Sequence, residues 1–522
     1  MRSTFSGFGT AISGLFAAQR ALDVIGHNIA NENTPGYTRQ RATQVTSNPT
    51  KVDNGKWLGT GVTMQHIQQI RDELLDIKYR SEMTKKGYWS EKNISLKQVE
   101  DIFGEPNGEG LTKALNNLFK SIDDVIKHSD DPTAKANFVQ TALTFTRYVN
   151  RAIQNFERLI SDTDEEINSL VTQINTKTRQ IAALNKSILE AESEGGKAND
   201  LRDKKKILLD ELSEMANIRV NKTVFTNKAG EKIEKIQLEM DGTLLVDHDK
   251  SVDIKTTSNQ HHPLYETSQK NNIPPSEDLK NVKITQLTWP DHRKLDMNTV
   301  GGRLGSLLQQ RDSFGDPSMG NSIKGVPYYV RALNEFVKSF AAEANRIHKQ
   351  GVDANGDKGL DLFTVSGTSD QIDARNITVN HDIVNAINKL AIGSNSSESN
   401  TKNFQDLFDI RNGELRLTIK QNVNGKFKTL DLGKGNPEDI IKSMITSVLG
   451  VDAKEAKDTY SSQTTLALQA DMNRMSVSGV SENEELTNMV KYQHAYNASA
   501  RMITTIDEMI DVIINRMGRV GL

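Results

Sequence analysis

The stretch from 131 to 196 reads DPTAKANFVQTALTFTRYVNRAIQNFERLISDTDEEINSLVTQINTKTRQIAALNKSILEAESEGG. Between Thr133 and Glu194 it contains neither proline nor glycine. The Asp-Pro pair that precedes this span and the Gly-Gly pair that follows it are typical start and stop signals of a helix. Since each residue adds 1.5 Å, a helix of this length spans about 90 Å. We therefore predict a rod-like molecule built around one long helix.

Apolar side chains recur along this stretch in alternating steps of three and four residues, which is typical of coiled-coil-like packing. The pattern comprises Val139, Ala142, Thr146, Val149, Ile153, Phe156, Ile160, Thr163, Ile167, Leu170, Ile174, Lys177, Ile181, Leu184 and Ile188. Shorter amphipathic helices are predicted over 111–127 and 200–215, and the second can fold back on the long helix. The pattern predicts a long antiparallel helical bundle.

Two regions interrupt the helical pattern with strand signals. In the first, from 218 to 298, alternating apolar residues precede an Asp-Gly turn at 241–242. In the second, from 351 to 454, they precede an Asn-Gly turn at 424–425. Helical periodicity returns between the two regions, from 305 to 349. We predict a mainly α fold with two inserted α+β or β domains.

A chain of 522 residues exceeds the roughly 250 to 300 residues that one hydrophobic core can serve, so several domains are expected. We predict a terminal coiled-coil domain (1–40 and 482–522), a helical rod domain (41–217, 299–350 and 455–481), a β-rich inserted domain (218–298) and a second mixed α/β insertion (351–454).

Composition excludes several classes of function. The chain has 65 basic and 68 acidic residues, so charge does not indicate nucleic acid or an anionic membrane as a partner. It has no cysteine, which excludes disulfides, thiolate nucleophiles and cysteine-ligated metal centres. No stretch reaches the roughly 20 apolar residues of a membrane span. Gly, Ser and Thr interrupt the N-terminal apolar run, so we expect export without a cleaved signal peptide if the protein leaves the cell.

Both ends of the chain carry a heptad pattern of apolar residues. The N-terminal positions are Phe5, Phe8, Ile12, Leu15, Leu22 and Ile29. The C-terminal positions are Leu486, Met489, Tyr496, Ala500, Ile503, Ile510 and Ile514. A capping box of Ser481 and Glu484 is predicted to start the C-terminal helix.

Two interpretations of these terminal helices are open. The N-terminal pattern contains several glycines, each of which costs about 1 kcal/mol in a helix interior relative to alanine, so this helix is expected to be marginal alone. Either the two terminal helices pair with each other within one subunit, or they become ordered by docking on neighbouring subunits. The turn-forming segment after the N-terminal helix, NIANENTPGYTR from 28 to 39, predicts a sharp change of direction.

The two ends also carry a family resemblance. The opening FSGFGTAISGLFAAQRALDVIGHNIANENTPGYTRQ (5–40) resembles the N-terminal signature of the flagellar axial family of rod, hook and hook-associated proteins. The ending SVSGVSENEELTNMVKYQHAYNASARMITTIDEMIDVIINRMG (476–518) is similar to its C-terminal signature. The N-terminal signature is centred on Asn28, Ala30, Asn31, Asn33, Pro35, Gly36 and Tyr37. Long helices with two insertions resemble the hook-associated branch of this family.

The resemblance implies a structural subunit of the bacterial flagellum at the junction of hook and filament. Its copies would form a ring at the hook tip, between the hook protein and the next hook-associated junction protein. The terminal helices would form the assembly interface and line the axial channel. The family also implies a transient cytoplasmic stage, a chaperone that binds the C-terminal segment, and signal-less type III export to the cell exterior. No cofactor, nucleic acid or membrane partner is expected.

No motif in the sequence indicates an enzyme. The segment from Asp353 to Asp357 resembles the start of a calcium loop, but Lys358 replaces the glycine at the sixth position and Thr364 replaces the bidentate glutamate at the twelfth. The adjacent His261 and His262 lack metal-ligand spacing and are predicted to lie in an exposed loop. An alternative function is a hydrolase or glycan-binding module in the insertions, which would require a concave pocket there.

Overall fold

The computed structural model describes residues 6–52, 56–104, 110–193, 197–226, 232–263, 265, 279–316, 321–367, 371–397, 399–423 and 426–516. Its α-helices are α1 (Ser6–Ala30), α2 (Glu73–Phe103), α3 (Leu111–Lys127), α4 (Pro132–Glu192), α5 (Asn199–Met215), α6 (Gly302–Asp312), α7 (Val326–His348), α8 (His381–Asn385), α9 (Lys402–Asp409), α10 (Pro437–Lys442), α11 (Gly450–Ser478) and α12 (Glu482–Asp511). Within the described ranges, no helix is both long enough and apolar enough to cross a bilayer.

The strands form small antiparallel sheets between the helices, so the fold is mainly α with β-containing insertions. They are β1 (Gln40–Thr46), β2 (Thr50–Val52), β3 (Lys56–Leu58), β4 (Val62–Gln69), β5 (Arg219–Thr226), β6 (Lys232–Met240), β7 (Thr243–Asp247), β8 (Lys250–Ser251), β9 (Lys255–His261), β10 (Lys283–Thr288), β11 (Phe314–Asp316), β12 (Asn321–Lys324), β13 (Phe363–Val365), β14 (Ile377–Val379), β15 (Leu415–Val423) and β16 (Lys426–Gly435).

The long helix α4 confirms the prediction from the uninterrupted stretch, with 61 residues. The Asp131 carboxylate accepts a hydrogen bond of 2.7 Å from the Thr133 N–H, which satisfies one free donor of the first turn. The predicted apolar row is buried from Val139 to Ile174. Beyond that point Ile181 and Ile188 are buried as predicted, but Thr178 and Asn185 are buried in place of Lys177 and Leu184. The shift by one residue follows from the drift of a 3.6-residue turn relative to a strict heptad.

Helix α4 runs through two separate hydrophobic cores. Its first half packs with α3, α7 and the second insertion, in a core whose fully buried residues include Phe138, Phe156 and Phe336. Its second half packs with α5, α6 and the first insertion around Ile174 and Trp289. Because one rigid helix lines both cores, it holds them at a constant separation.

The two insertions have the hairpins that the sequence predicts. Strands β6 and β7 pair around the turn at 241–242, within a four-stranded sheet of order β5-β6-β7-β8. In the second insertion β15 pairs with β16, and Leu415 and Leu417 face the first core. The predicted turn at 424–425 lies outside the described residues.

The helical region predicted from 305 to 349 is wrong in its middle. Helices α6 and α7 are separated by the hairpin of β11 and β12. Gly315 lies in this hairpin with a φ of +67°, a backbone conformation that disfavours residues with a side chain. A Cβ at Gly325 would contact the carbonyl oxygens of Gln309 and Gln310, so α7 starts where only glycine fits against α6.

The segment after the N-terminal turn also differs from the helical structure expected for the range 41–217. Strand β1 pairs with β4, with Gln40 opposite Gln69, and β2 pairs with β3. Strands β1 and β4 contact α1 and form a platform beneath it. The domain boundaries given above stay a prediction.

Close packing between α2 and α5 generates a test of the fold. A Cβ at Gly87 would overlap with the carbonyl oxygen of Glu214, which is backbone and cannot move aside cheaply. We expect Gly87→Ala to lower the free energy of unfolding by about 1 to 3 kcal/mol, although alanine is the better helix former. Urea denaturation measures the change.

The matched control is Gly26→Ala in α1, where an added Cβ meets no atom within 4 Å. This substitution is expected to cause no loss of stability. If Gly87→Ala were as stable as the control variant, the close approach of α2 and α5 would be incorrect.

Candidate functional site at the junction of the terminal helices

The two terminal helices pair with each other through small residues. Helix α1 buries a face rich in alanine, including Ala17, Ala18 and Ala21, with exposed fractions of 5%, 3% and 2%. A Cβ at Gly14 would lie 3.1 Å from Ser499 Oγ on α12. Small side chains therefore allow the two helix backbones to approach closely.

The predicted N-terminal interface residues flank this face and do not form its centre. The half-buried members are Phe8, Ile12, Leu15, Leu22 and Ile29. Phe5 lies outside the described residues. Phe16, which the heptad pattern did not include, is 60% exposed. Their predicted role as an assembly interface stays a prediction.

The predicted C-terminal residues divide into two groups. Half-buried positions along the helix are Met489, Tyr496, Ala500, Ile503 and Ile510. The exposed positions are Leu486 and Ile514. Further large apolar side chains of the C-terminal helix that are exposed are Val490, Met502, Met509, Val512 and Ile513. The paired terminal helices thus leave a substantial apolar surface uncovered within one subunit.

The turn after α1 packs directly on α5. Gly36 has a φ of +78°, and a Cβ at this position would overlap with the side chain of Ile207. Thr34 donates its hydroxyl to Asn31 Oδ1 at 3.2 Å, and the Tyr37 N–H donates to the Thr34 carbonyl at 3.1 Å. Ala30 is the last residue of α1, whereas Asn33 and Pro35 are exposed in the turn. The turn formers predicted from sequence therefore bring α1 onto the rod.

Asn28 is the centre of a buried hydrogen-bond network at this turn, with 1% of its surface exposed. Its Oδ1 accepts from the Tyr37 hydroxyl at 2.8 Å and from the Gln40 N–H at 3.0 Å. Its Nδ2 donates to the Gln40 carbonyl at 2.9 Å and to Glu485 Oε2 at 3.2 Å. All four hydrogen-bonding positions of the amide are used, which no other residue type would reproduce.

Arg39 joins the turn to the start of the C-terminal helix. Its Nε donates to Glu485 Oε1 at 2.6 Å, and its Nη1 donates to Glu484 Oε2 at 2.7 Å. Its backbone N–H donates to the Ser478 carbonyl at 2.9 Å. The Glu485 carboxylate is only 2% exposed, and Arg39 and Asn28 together satisfy it.

The predicted capping box is wrong. Ser481 occupies the N-cap position of α12, but its side chain makes no capping hydrogen bond. Glu484 does not reach back to the cap because its carboxylate pairs with Arg39. A long-range ion pair has replaced the local motif.

Helix α5 supplies the rod side of the same network. Asp203 Oδ2 accepts from the Thr38 N–H at 3.1 Å, and its Oδ1 accepts from Gln69 Nε2 at 2.8 Å. Asn199 Nδ2 donates to Gln40 Oε1 at 3.0 Å. Burial raises the pKa of the Asp203 carboxyl. The turn, strand β4 and α5 are thus held by the same few polar groups.

Sequence reasoning identified the turn but missed Arg39, Glu485 and Asp203. They are separated by hundreds of residues, and charged residues on helices are usually solvated, so one sequence cannot pair them. The available signal was the position of Arg39 immediately after the turn.

The features that suggested other chemistry are explained by local structure. Asp353 Oδ1 accepts from the N–H groups of Asn355 and Asp357, both at 2.8 Å, so this carboxylate closes its own turn. His261 is exposed as expected, but His262 is fully buried, with Nε2 2.8 Å from the Arg311 carbonyl oxygen, and the predicted exposed pair is wrong. Among the residues that the structure describes, no group of three or more His, Cys, Asp or Glu side chains is placed to hold a metal.

Comparison with known proteins assigns both ends to one class. The family model described as flagella basal body rod protein matches residues 8–38, and that of the flagellar basal body rod FlgEFG protein C-terminal matches residues 473–517. These segments contain the terminal helices and the turn network. The chain is therefore a structural protein of the flagellar axial class.

The match over the rest of the chain defines the family. The model of the flagellar hook-associated protein FlgK helical domain matches residues 96–363. Flagellar hook-associated protein 1 of Bacillus subtilis (strain 168) is 30% identical over 99% of both chains. The protein of the same name from Salmonella typhimurium is 25% identical over 97% of this chain and 98% of its own. The chain belongs to the flagellar hook-associated protein 1 family.

One solved structure is also similar. It is described as the flagellar hook junction protein FlgK from Burkholderia pseudomallei, and it aligns with 55% of this chain and 46% of its own length. The sequence identity is 23% and the TM-score is 0.42.

A buried lysine on α5 gives a pH test of this region. Burial, assisted by the positive charge of Arg202, lowers the pKa of Lys205 from 10.5 to about 7. Its ammonium donates to Asn185 Oδ1 at 3.1 Å. Between these two pKa values the unfolded chain binds a proton that the folded chain does not, so the free energy of unfolding rises with pH.

Lys205→Met is expected to remove the pH dependence that Lys205 gives to the free energy of unfolding. The difference in the free energy of unfolding between variant and parent is therefore expected to narrow as pH rises from 7 to 10. Urea denaturation at several pH values measures it. The control Lys204→Met changes an exposed neighbour and is expected to keep the parental slope. Equal slopes for the parent and Lys205→Met would show that Lys205 is not buried.

Proposed function

We propose that the chain is a structural subunit of the hook–filament junction that polymerises through its terminal helices. The observation that carries this proposal is the apolar surface that the paired helices α1 and α12 leave exposed, including Phe16 at 60%, Met502 at 59% and Met509 at 53%. Exposed apolar surface of this kind is typical of protein interfaces. The names of the relatives, which are hook-associated proteins, support this interpretation.

In the proposed assembly each subunit contributes one pair of terminal helices to an inner tube around the axial channel. The small residues between α1 and α12 keep the pair narrow. Their half-buried flanks, such as Leu15 and Tyr496, would then be covered by the next pair. The turn network holds each pair in a set direction relative to α4 and α5, so that copies of the same subunit can form a regular ring.

The proposed partners are copies of the chain, the hook protein on one side of the ring, and the next hook-associated junction protein on the other. The subunit would be exported through the flagellar type III channel without a cleaved signal. Before export a cytoplasmic chaperone would cover the apolar side of α12. The role proposed is structural and not catalytic.

A first test removes the terminal helices. Deletion of 482–522 is expected to abolish both motility and incorporation into the junction, because each subunit then lacks α12 and has no terminal helix pair. Circular dichroism and thermal unfolding of the purified variant are expected to show that α4 and both cores still fold. Filaments of native length on hooks that carry only the truncated chain would contradict the proposal.

A finer variant separates assembly from folding. Met502→Asp combined with Met509→Asp places charges on the exposed side of α12 and is expected to block incorporation while the monomer remains as stable as the parent. Asn497→Asp, at an exposed polar position of the same helix, is the matched control and is expected to assemble.

A further inference from the structure

Helix α11 exposes a row of apolar side chains on the outside of the rod. Leu468, Met472 and Met475 are 60%, 64% and 46% exposed. Their spacing of four and three residues places them on one face of the helix, over about 10 Å of its length. Three large apolar side chains at this spacing are the pattern with which a helix docks into a groove.

A groove of suitable size lies on α2. The cavity between this helix and the first inserted sheet has a volume of 880 Å³, which falls in the usual range of binding pockets, about 300 to 1,000 Å³. Ile77, Ile218 and Val220 contribute apolar surface to it. Ile77 is 57% exposed, and Leu74, one turn earlier on α2, is 75% exposed.

The row and the groove are at the same level of the rod but on different sides. Arg474 of α11 stacks on Tyr79 of α2 at 3.8 Å and donates to Asp210 of α5 at 2.6 Å, which places the end of α11 beside the start of α2. At 100° per residue, Met472 is turned about 160° away from Arg474. Leu468 and Met475 are turned about 120° and 100° from Arg474, so the row lies on a side of α11 that does not contact α2. The groove lies on the side of α2 that faces the sheet.

We propose that the Leu468–Met472–Met475 row of one subunit occupies the Ile77 groove of a second copy of this chain. Two complementary surfaces on different sides of one molecule make a heterologous contact, and such contacts generate rings or helices when they repeat. This inference rests on the proposed function, since only a subunit that polymerises has such a neighbour. It assigns the rod, and not only the terminal helices, a direct role in assembly.

The chemistry of the two surfaces fits this contact. Methionine is unbranched and flexible, so Met472 and Met475 can adapt to an irregular groove. The polar side chains of Glu239 and Asp241 line the same cavity as the apolar residues Ile77, Ile218 and Val220, so the groove is of mixed character. Helix α12 begins at Glu482, four residues after α11 ends at Ser478, so a contact at Met475 lies next to the proposed terminal interface.

The test uses the absence of cysteine from the chain, which makes introduced thiols unique. Ile77→Cys and Met472→Cys are introduced singly and together in the full-length chain, which is allowed to assemble at hook tips and is treated with a short bismaleimide. The double variant is expected to give a ladder of dimers, trimers and larger species. Each single variant is expected to give no cross-linked species, and a mixture of the two single variants is expected to give cross-linked dimers only.

The matched control combines Met472→Cys with Ile94→Cys, an exposed position of α2 that lies about 25 Å further along the helix. It is expected to give no ladder. A homodimer of the Met472→Cys chain alone, or a double variant that assembles without a ladder, would overturn the contact and leave the proposed function intact. Failure of the parent chain to assemble at all would instead overturn the proposed function.

A charge pair gives a second readout if the cysteine variants do not enter the junction. Ile77→Glu and Met472→Lys are each expected to reduce incorporation at least tenfold, because each leaves a charge in an apolar contact. The two substitutions in one chain are expected to restore part of the incorporation. The glutamate in each groove then lies beside the lysine in the row of the neighbouring subunit. Unreduced incorporation of both single variants would contradict the inference.

Discussion

A buried carboxylate governs how the two ends of this chain are arranged. Removing the charge of Glu485 from water costs several kcal/mol unless hydrogen-bond donors replace the lost hydration. Arg39 and Asn28 provide those donors, at 2.6 and 3.2 Å. Residues 28, 39 and 485 must therefore meet in space, and this requirement brings the end of α1, the turn and the start of α12 to one point. Breaking such a pair is costly because it leaves a charge buried without a partner.

The rod transmits this local arrangement to the rest of the molecule. Helix α5, which receives the turn through Asp203 and the Ile207–Gly36 contact, folds back antiparallel on the second half of α4. Helix α4 then continues into the other core without a break. The direction of the terminal pair is thus linked through two packed helices to the positions of both insertions, which a subunit of a regular ring requires.

Sequence reasoning succeeded where the signal is local and periodic. The span without proline or glycine predicted α4 to within two residues, and the Asp-Gly turn predicted the β6–β7 hairpin. It failed where tertiary contacts override local pattern. Ser481 and Glu484 have the residue types and spacing of a capping box, but Glu484 forms an ion pair with Arg39 instead. The apolar heptad of α1 misplaced the centre of the helix contact, because alanine and glycine carry little hydrophobic signal although they allow the closest approach.

The hydrogen-bond network could not be predicted from a single sequence. Its members lie at positions 28, 37, 39, 203 and 485, and no spacing rule connects them. The turn formers near Pro35 marked the place, and the family resemblance marked its importance. Only the fold shows that the amide of Asn28 makes four hydrogen bonds there.

The most direct measurement is a double-mutant cycle between Arg39→Ala and Glu485→Ala, with the free energy of unfolding of the full-length chain obtained from urea denaturation. If the buried pair joins the two ends, each single variant loses stability and the double variant loses less than their sum, with a coupling energy of about 1.5 kcal/mol or more. Additive losses, with a coupling below about 0.5 kcal/mol, would contradict the account and show that the terminal helices are held to the rod by other contacts.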